Sequence, residues 1–220
     1  MKTRMLIVVV VSLAFCASLL LPAFGQEMKP IQLPEPKLDQ SKSLVQALKD
    51  RKTSREFAAG SLPLQMVSNL LWAAFGINRP DGAKRTAPSA YNRQEIDIYV
   101  TTADGVYIYD PKGNALIPVV AKDLRALTGT QSYFKDAAVN LVYVADLARM
   151  TEAPEGDKMY LTSANTGFIA ENVYLYCASE GLATVFRAGI DKPKLGEAIK
   201  LRPEQRITFA QTVGLPKSGK

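Results

Sequence analysis

Positions 51 to 57 read Arg51-Lys52-Thr53-Ser54-Arg55-Glu56-Phe57, with three cations and two hydroxyls in five residues, then an acid and an apolar residue. Guanidinium groups grip phosphate oxygens in pairs and hydroxyls add donors, so the composition suits an anion. A second polar run, Pro88-Ser89-Ala90-Tyr91-Asn92-Arg93-Gln94, follows about one helix and one loop later. The two runs are expected to close on one cofactor. The alternative is that residues 51–55 form a solvated helix end, where basic side chains also favour the dipole.

Composition narrows the chemistry further. The chain of 220 residues has no histidine and two cysteines. This excludes Ser-His-Asp triads, His-based metal sites and a thiolate cluster, so no metal is expected. Reactive groups must be carboxylates, Lys, Tyr, Ser or a bound cofactor. The net charge of +6 is mild, and Lys2, Arg4, Lys217 and Lys220 carry part of it. No dense Lys/Arg run is interleaved with aromatics, so nucleic acid is not an expected partner, whereas anionic small molecules are. With 47% hydrophobic residues, the chain can fill one globular core.

The elements that must position these runs follow from hydrophobic period. Residues 41–49 predict a short helix capped by Ser41 or Ser43, with Leu44, Val45 and Leu48 as its apolar stripe. Residues 64–75 predict a helix begun by Pro63 and stopped by Gly76, with Trp72 in the core by default. Residues 78–90 read as a loop. Residues 96–100 and 106–109 alternate around the turn Ala103-Asp104-Gly105 and predict a hairpin. Residues 115–120 follow as the next segment, and residues 123–127 as a short helix. Residues 138–145 are apolar throughout except Asn140 and predict a central strand buried on both faces. A polar loop over 151–157 precedes the longest helix, 160–181, which is small or apolar nearly all round and ends at Gly181. Such a helix is buried, often at a dimer interface. A short strand over 183–186, a helix over 193–200 capped by Asp191 and a last strand over 205–213 complete an α+β chain with a largely antiparallel sheet.

The N-terminus reads as an export signal over residues 1–25: Lys2 and Arg4, an apolar run over 5–21, then Ala23-Phe24-Gly25 before Gln26. The expected location is periplasmic or secreted. An uncleaved membrane anchor is the alternative. Cys16 falls in the discarded run. Cys177 is then the one remaining cysteine, with no internal disulfide, and reads as core packing rather than a nucleophile. Residues 26–40 hold Pro30, Pro34 and Pro36 and read as an extended arm without regular structure that tethers the domain or wraps a partner subunit. The folded domain is expected over 41–220.

In this order the segments resemble the flavin-dependent nitroreductase family, near the peptide azoline dehydrogenases of SagB type. The opening Arg51-Lys52-Thr53-Ser54-Arg55 is similar to the family's Arg-Arg/His-Ser-x-Arg. Residues 88–94 are similar to its Pro-Ser-Ser/Ala-x-Asn-x-Gln loop. Glu180-Gly181-Leu182-Ala183-Thr184-Val185 resembles its Ala-x-x-Gly-Leu-Gly-Thr ending, and Val213-Gly214-Leu215-Pro216-Lys217 its terminal Val-Gly-Tyr-Pro. The likeness covers residues 43–217.

The resemblance implies a nitroreductase-like fold, an intertwined homodimer, FMN at the subunit interface, and two-electron hydride transfer to a small-molecule substrate by a ping-pong mechanism. NAD(P)H is a possible electron donor. It implies that Arg51 and Thr53 hold the flavin phosphate and ribityl chain, with Lys52 beside them and Arg55 supporting phosphate or ring. Ser89, Ala90 and Asn92 would line the ring from the other subunit, with Gln94 near the ribityl hydroxyls. Backbone at Val185, Phe186 and Arg187 would face N5, and Lys217 would be a late phosphate contact. Tyr91 and Glu180 are candidate proton donors. A protein of the same fold that binds a flavin or phosphate ligand without turnover is the alternative. The chain departs from the pattern at Lys52, at Glu95 where Pro-Trp is usual, and at Phe186-Arg187 where small residues are usual.

Overall fold

The computed structural model describes residues 28–39 and 41–217. The leader reading and Cys16 lie outside the described residues.

One seven-stranded sheet organises the chain. In chain order its strands are β1 (Ile31–Gln32), β4 (Ile96–Thr101), β5 (Val106–Asp110), β6 (Ala115–Val120), β7 (Val139–Asp146), β8 (Ala183–Arg187) and β9 (Gln205–Gly214). They lie in the order β1-β6-β5-β4-β7-β9-β8 with every neighbour antiparallel. β7 is the predicted central strand, and all eight of its residues are buried. Its pleat divides the core. Leu141, Tyr143 and Ala145 join the layer under the two longer helices, while Val142 and Val144 join the opposite layer.

Four helices flank the sheet: α1 (Leu44–Asp50), α2 (Leu64–Phe75), α3 (Glu155–Glu180) and α4 (Lys192–Ala198). Ser43 caps α1, its hydroxyl accepting from the Gln46 N–H at 3.1 Å. Asp191 caps α4 in the same way through Lys194 at 3.2 Å. α3 starts earlier than the apolar run implies, because Glu155 and Asp157 suit the positive end of its dipole. Gly181 ends it at φ 70°, a left-handed cap open to glycine at little cost. α2 and α3 pack together on one face through Leu70, Leu71, Ile169 and Val173. On the other face, Leu195 of α4 meets Ile199, Val142 and Ile207.

Four expectations need correction. The arm has regular structure: Ile31 and Gln32 pair with Leu116 and Ala115 as the edge strand of the sheet. The Gln32 amide donates to the carbonyls of Gly113 and Asn114 at 2.9 and 3.1 Å, and Leu33 is buried. An edge strand leaves one row of backbone groups open, and the arm fills that row on its own chain. Second, residues 78–90 contain a small ladder of β2 (Ile77–Arg79) and β3 (Lys84–Arg85), a turn that the polar composition hid. Third, the apolar stripe of α1 faces outward. Leu44, Val45 and Leu48 are 64%, 61% and 54% exposed, and only Ala47 of α1 is buried. The predicted helix over 123–127 is a single 3-10 turn at Arg125–Leu127.

Candidate functional site

The cationic run 51–57 lies along the edge of the main sheet without forming a strand of it. Ser54 N–H donates to the Thr184 carbonyl of β8 at 2.9 Å, and Ala58 N–H to the Leu215 carbonyl at 2.9 Å. Phe57 and Pro216 form an antiparallel bridge, and Lys217 N–H reaches the Glu56 carbonyl at 3.4 Å. The structure therefore places the run and Lys217 on adjacent segments, although 160 residues of chain separate Phe57 from Lys217.

Extended backbone sends alternate side chains to opposite sides. Lys52, Ser54 and Glu56 line a cleft of about 820 Å³ together with Lys217, Lys42 and Lys49. Four lysines face two carboxylates there, Asp50 and Glu56, so the cleft favours an anion. Arg51 and Thr53 do not line the cleft but turn to Tyr174 of α3, which borders it. The Arg51 guanidinium lies 5.5 Å from the Tyr174 ring centroid, and the Thr53 hydroxyl is 3.0 Å from the Tyr174 hydroxyl. That same phenol oxygen accepts from Phe186 N–H at 2.9 Å. Tyr174 thus fastens run, helix and β8 at one atom. Tyr174 was missed in the sequence because it sits in an apolar helix run; its place two helical turns before Gly181 was the available signal. Arg55 is exposed.

Residues 185–187 split in the same manner. Val185 is buried, and the Phe186 ring packs on Phe209 at 4.7 Å and on Tyr143 at 6.3 Å. The Arg187 side chain is buried in the fold. It donates to Asn140 Oδ1 at 2.7 Å, to Thr212 Oγ1 at 2.9 Å, to Thr128 Oγ1 at 3.0 Å and to the Thr128 carbonyl. Phe134 covers it at 4.5 Å. No carboxylate pairs with it among the described residues, and burial pushes its pKa down to about 10. Arg187 therefore ties residues 128–134 to β7 and β9. Tyr133 of the same segment stacks on Phe57 at 6.3 Å, which ties that segment to the end of the cationic run.

Loop 88–94 is a separate structure. Tyr91, Asn92 and Gln94 have φ of 53°, 55° and 50°, unusual for side chains other than glycine. Such strain persists where the surroundings over-determine it, often at functional sites. Here the constraints are visible. Gln94 N–H donates to the Ser89 hydroxyl at 3.0 Å, and the Gln94 amide donates to Asn92 Oδ1 at 3.0 Å and the Ala83 carbonyl at 3.2 Å. Arg85 Nε donates to Gln94 Oε1 at 2.8 Å, and Arg149 to the Gln94 carbonyl at 2.9 Å. The Gln94 side chain is thereby committed to shaping the loop. Ala90 N–H donates to Asn165 Oδ1 at 3.2 Å, and the Asn165 amide to Glu95 Oε1 at 2.7 Å. Glu95 is fully buried, so the residue that replaces the usual proline acts as a support beneath the loop. Tyr91 at the tip is 87% exposed, under the Arg93 guanidinium at 4.5 Å.

Both segments rest on α3, the loop at Asn165 and the cationic run at Tyr174. Nine residues of helix put them about 13 Å apart along its axis. Within one chain they do not meet. Glu180 lies elsewhere again, lining a pocket between α1, α2 and α3 with Lys42 and Trp72, and it does not line the cleft of Lys52 and Lys217. Burial pushes the Cys177 thiol well up, which fits an inert core residue. No group of three or more acidic or cysteine side chains capable of holding a metal occurs among the described residues.

The model of the nitroreductase family matches residues 48–215. The chain belongs to the nitroreductase family. A Ralstonia eutropha JMP134 protein designated a nitroreductase has the same fold at a TM-score of 0.84 and 41% identity, over 90% of this chain and 94% of that one. A Methanocaldococcus jannaschii protein also designated a nitroreductase is 30% identical over 183 residues, 78% of this chain and 90% of its own length. The NADPH:FMN oxidoreductase of Vibrio harveyi, solved with NAD+, shares the fold at a TM-score of 0.60 and 20% identity, over 80% of this chain and 69% of that one. The nitroreductase-like fold expected from the sequence, a mainly antiparallel sheet flanked by helices, is thus the fold of this chain.

Proposed function

We propose that this nitroreductase-family protein is an exported, FMN-dependent oxidoreductase that transfers a hydride to a small-molecule substrate in a ping-pong cycle, working as a homodimer. The observation that carries the reading is the meeting of residues 51–57 with Lys217 at a cleft whose cations outnumber its acids. These residues fit a flavin phosphate: Lys52 and Lys217 supply charge and Ser54 a further donor, while Arg51 and Thr53 brace Tyr174 at the cleft wall. When bound, FMN supplies the two-electron chemistry, which is why a chain without histidine can be an enzyme. The protein's own tasks are to hold the phosphate, to present cations near the reduced ring and to exclude water.

Two features support a dimer. The loop and the cationic run are anchored about 13 Å apart on one helix and do not meet within a chain, which favours a second copy's loop as the one that reaches the flavin. The exposed apolar side chains of α1, with Tyr160 and Phe168 on α3, offer a surface for that copy to cover. Ser89, Ala90 and Asn92 would then reach the neighbour's flavin, while Gln94 shapes the loop. A proton could come from solvent or from Tyr91, whose hydroxyl is free at the tip. Kinship with the SagB-type branch and NAD(P)H as donor are carried by the motif order alone, and export by the signal-like composition of residues 1–25.

The test is spectroscopic. The mature chain, reconstituted with FMN and freed of excess, is expected to keep a visible flavin spectrum that bleaches with NAD(P)H or a quinol under nitrogen. A colourless protein would end the proposal. A bound flavin that no donor bleaches would mark a carrier instead.

A further inference from the structure

At the end of β4 and β7 away from Lys217, a groove of about 420 Å³ opens beside loop 88–94. Four cations line it, Arg85, Arg93, Lys112 and Arg149, against two carboxylates, Asp97 and Asp110. Both carboxylates are committed. Asp97 pairs with Arg149 at 2.9 and 3.0 Å, and Asp110 accepts from the backbone N–H groups of Lys112 and Gly113 at 3.0 and 3.1 Å. Arg149 is taken up further by Asp146 at 3.5 Å. Arg85, Arg93 and Lys112 are left with no carboxylate in ion-pair reach among the described residues.

Arg93 carries an independent sign. Its Nη1 is buried and has no hydrogen-bond partner among the described residues, a costly state for a charged donor. Its guanidinium is stacked on Tyr91, in a backbone segment that holds three left-handed residues in place. Arg85 is fixed as well, by Gln94 Oε1 at 2.8 Å and by the Phe75 ring at 5.2 Å, so its charge stays at the groove wall. An oxyanion would supply a counter-charge for these three cations and further acceptors for the Arg93 guanidinium, whose Nη1 has none.

We propose that Arg85, Arg93 and Lys112 form a second anion subsite, which takes a phosphate, sulfonate or carboxylate borne by the small-molecule substrate. The link to substrate rests on the flavin reading above, because loop 88–94 is the segment that would reach the neighbour's flavin. The anion site itself stands on the groove alone. The proposal makes the enzyme one that prefers acidic acceptors over neutral ones, with the charge read by the subunit that contributes the loop.

The test uses the full mature chain and the double variant Arg93→Gln/Lys112→Gln, whose side chains project from a loop and a turn. Calorimetric titration with inorganic pyrophosphate at low salt is expected to show a site that the variant binds at least tenfold more weakly and that added salt weakens. Turnover of flavin-loaded protein is then compared with 1,4-naphthoquinone and its 2-sulfonate. The variant is expected to lose about tenfold in kcat/KM for the sulfonate and less than twofold for the neutral quinone. Unchanged pyrophosphate binding overturns the subsite. Lost pyrophosphate binding with equal effects on both quinones overturns its link to substrate. A protein that does not load flavin overturns the proposed function, and the titration still decides the subsite.

Discussion

Arg187 shows how a residue's type and its task can diverge. An arginine after a short strand beside a cofactor motif suggests a ligand contact. Its guanidinium instead spends its donors on neutral oxygens of Thr128, Asn140 and Thr212. A buried cation without a counter-ion is expensive, and removing only its head leaves the acceptors stranded. Arg187→Ala is therefore expected to lower the unfolding free energy by about 3 kcal/mol. Arg187→Met, which fills the space without a charge to desolvate, should lose less than half of that. Urea denaturation of the two variants checks the order; a methionine variant weaker than the alanine would refute the account. Tyr174 is the opposite case, an apolar-looking helix residue whose hydroxyl joins three elements.

At the level of elements, α1 has its stripe on the outside. Periodicity located Leu44, Val45 and Leu48 correctly as one face, but Ala47 is the residue that packs inward. Three large apolar side chains left in water on a seven-residue helix cost the monomer solubility and fit a surface covered by a second copy. Leu44→Glu/Leu48→Glu is expected to shift the protein from dimer to monomer in light-scattering chromatography while its far-ultraviolet circular dichroism stays native. Flavin retention should fall with it, because the loop and the cationic run would no longer share a ligand. A double variant that remains dimeric and yellow would place the interface elsewhere. Burial works differently on β7, where both faces are covered and a cavity from Leu141→Ala would cost about 2–5 kcal/mol.

For the whole molecule, tyrosine burial sets an alkaline limit. Burial pushes Tyr109 up to about 12 and also raises Tyr99, Tyr107, Tyr143 and Tyr176, while the Cys177 thiol moves up for the same reason. The unfolded chain releases tyrosine protons near pH 10, whereas the fold holds them beyond that. Above pH 10 the unfolded state therefore binds fewer protons than the native state, and stability falls as pH rises. Tyr109 alone should account for about 1.4 kcal/mol of that fall by pH 11. Urea midpoints at pH 9 and pH 11 are expected to drop for the wild type and to drop less for Tyr109→Phe. Equal drops would show that Tyr109 holds its proton no better in the fold than outside it.

The sequence by itself determined the main strands and helices from residue 41 onward, the central place of residues 138–145 and the two polar runs, because each is written in local period and composition; the arm strand and the small β2–β3 ladder were not legible there. The missing histidine also narrowed the chemistry to carboxylates, Lys, Tyr, Ser or a bound cofactor. Only the tertiary structure decided what those segments face. It set Lys217 beside Glu56, buried Arg187 among threonines, drew the proline arm into the sheet edge and kept loop 88–94 about 13 Å along α3 from the cationic run. Such facts depend on which distant residues supply partners and exclude water. A side chain's neighbours in space are set by the packing of the whole sheet and its helices, and no window of local sequence contains them.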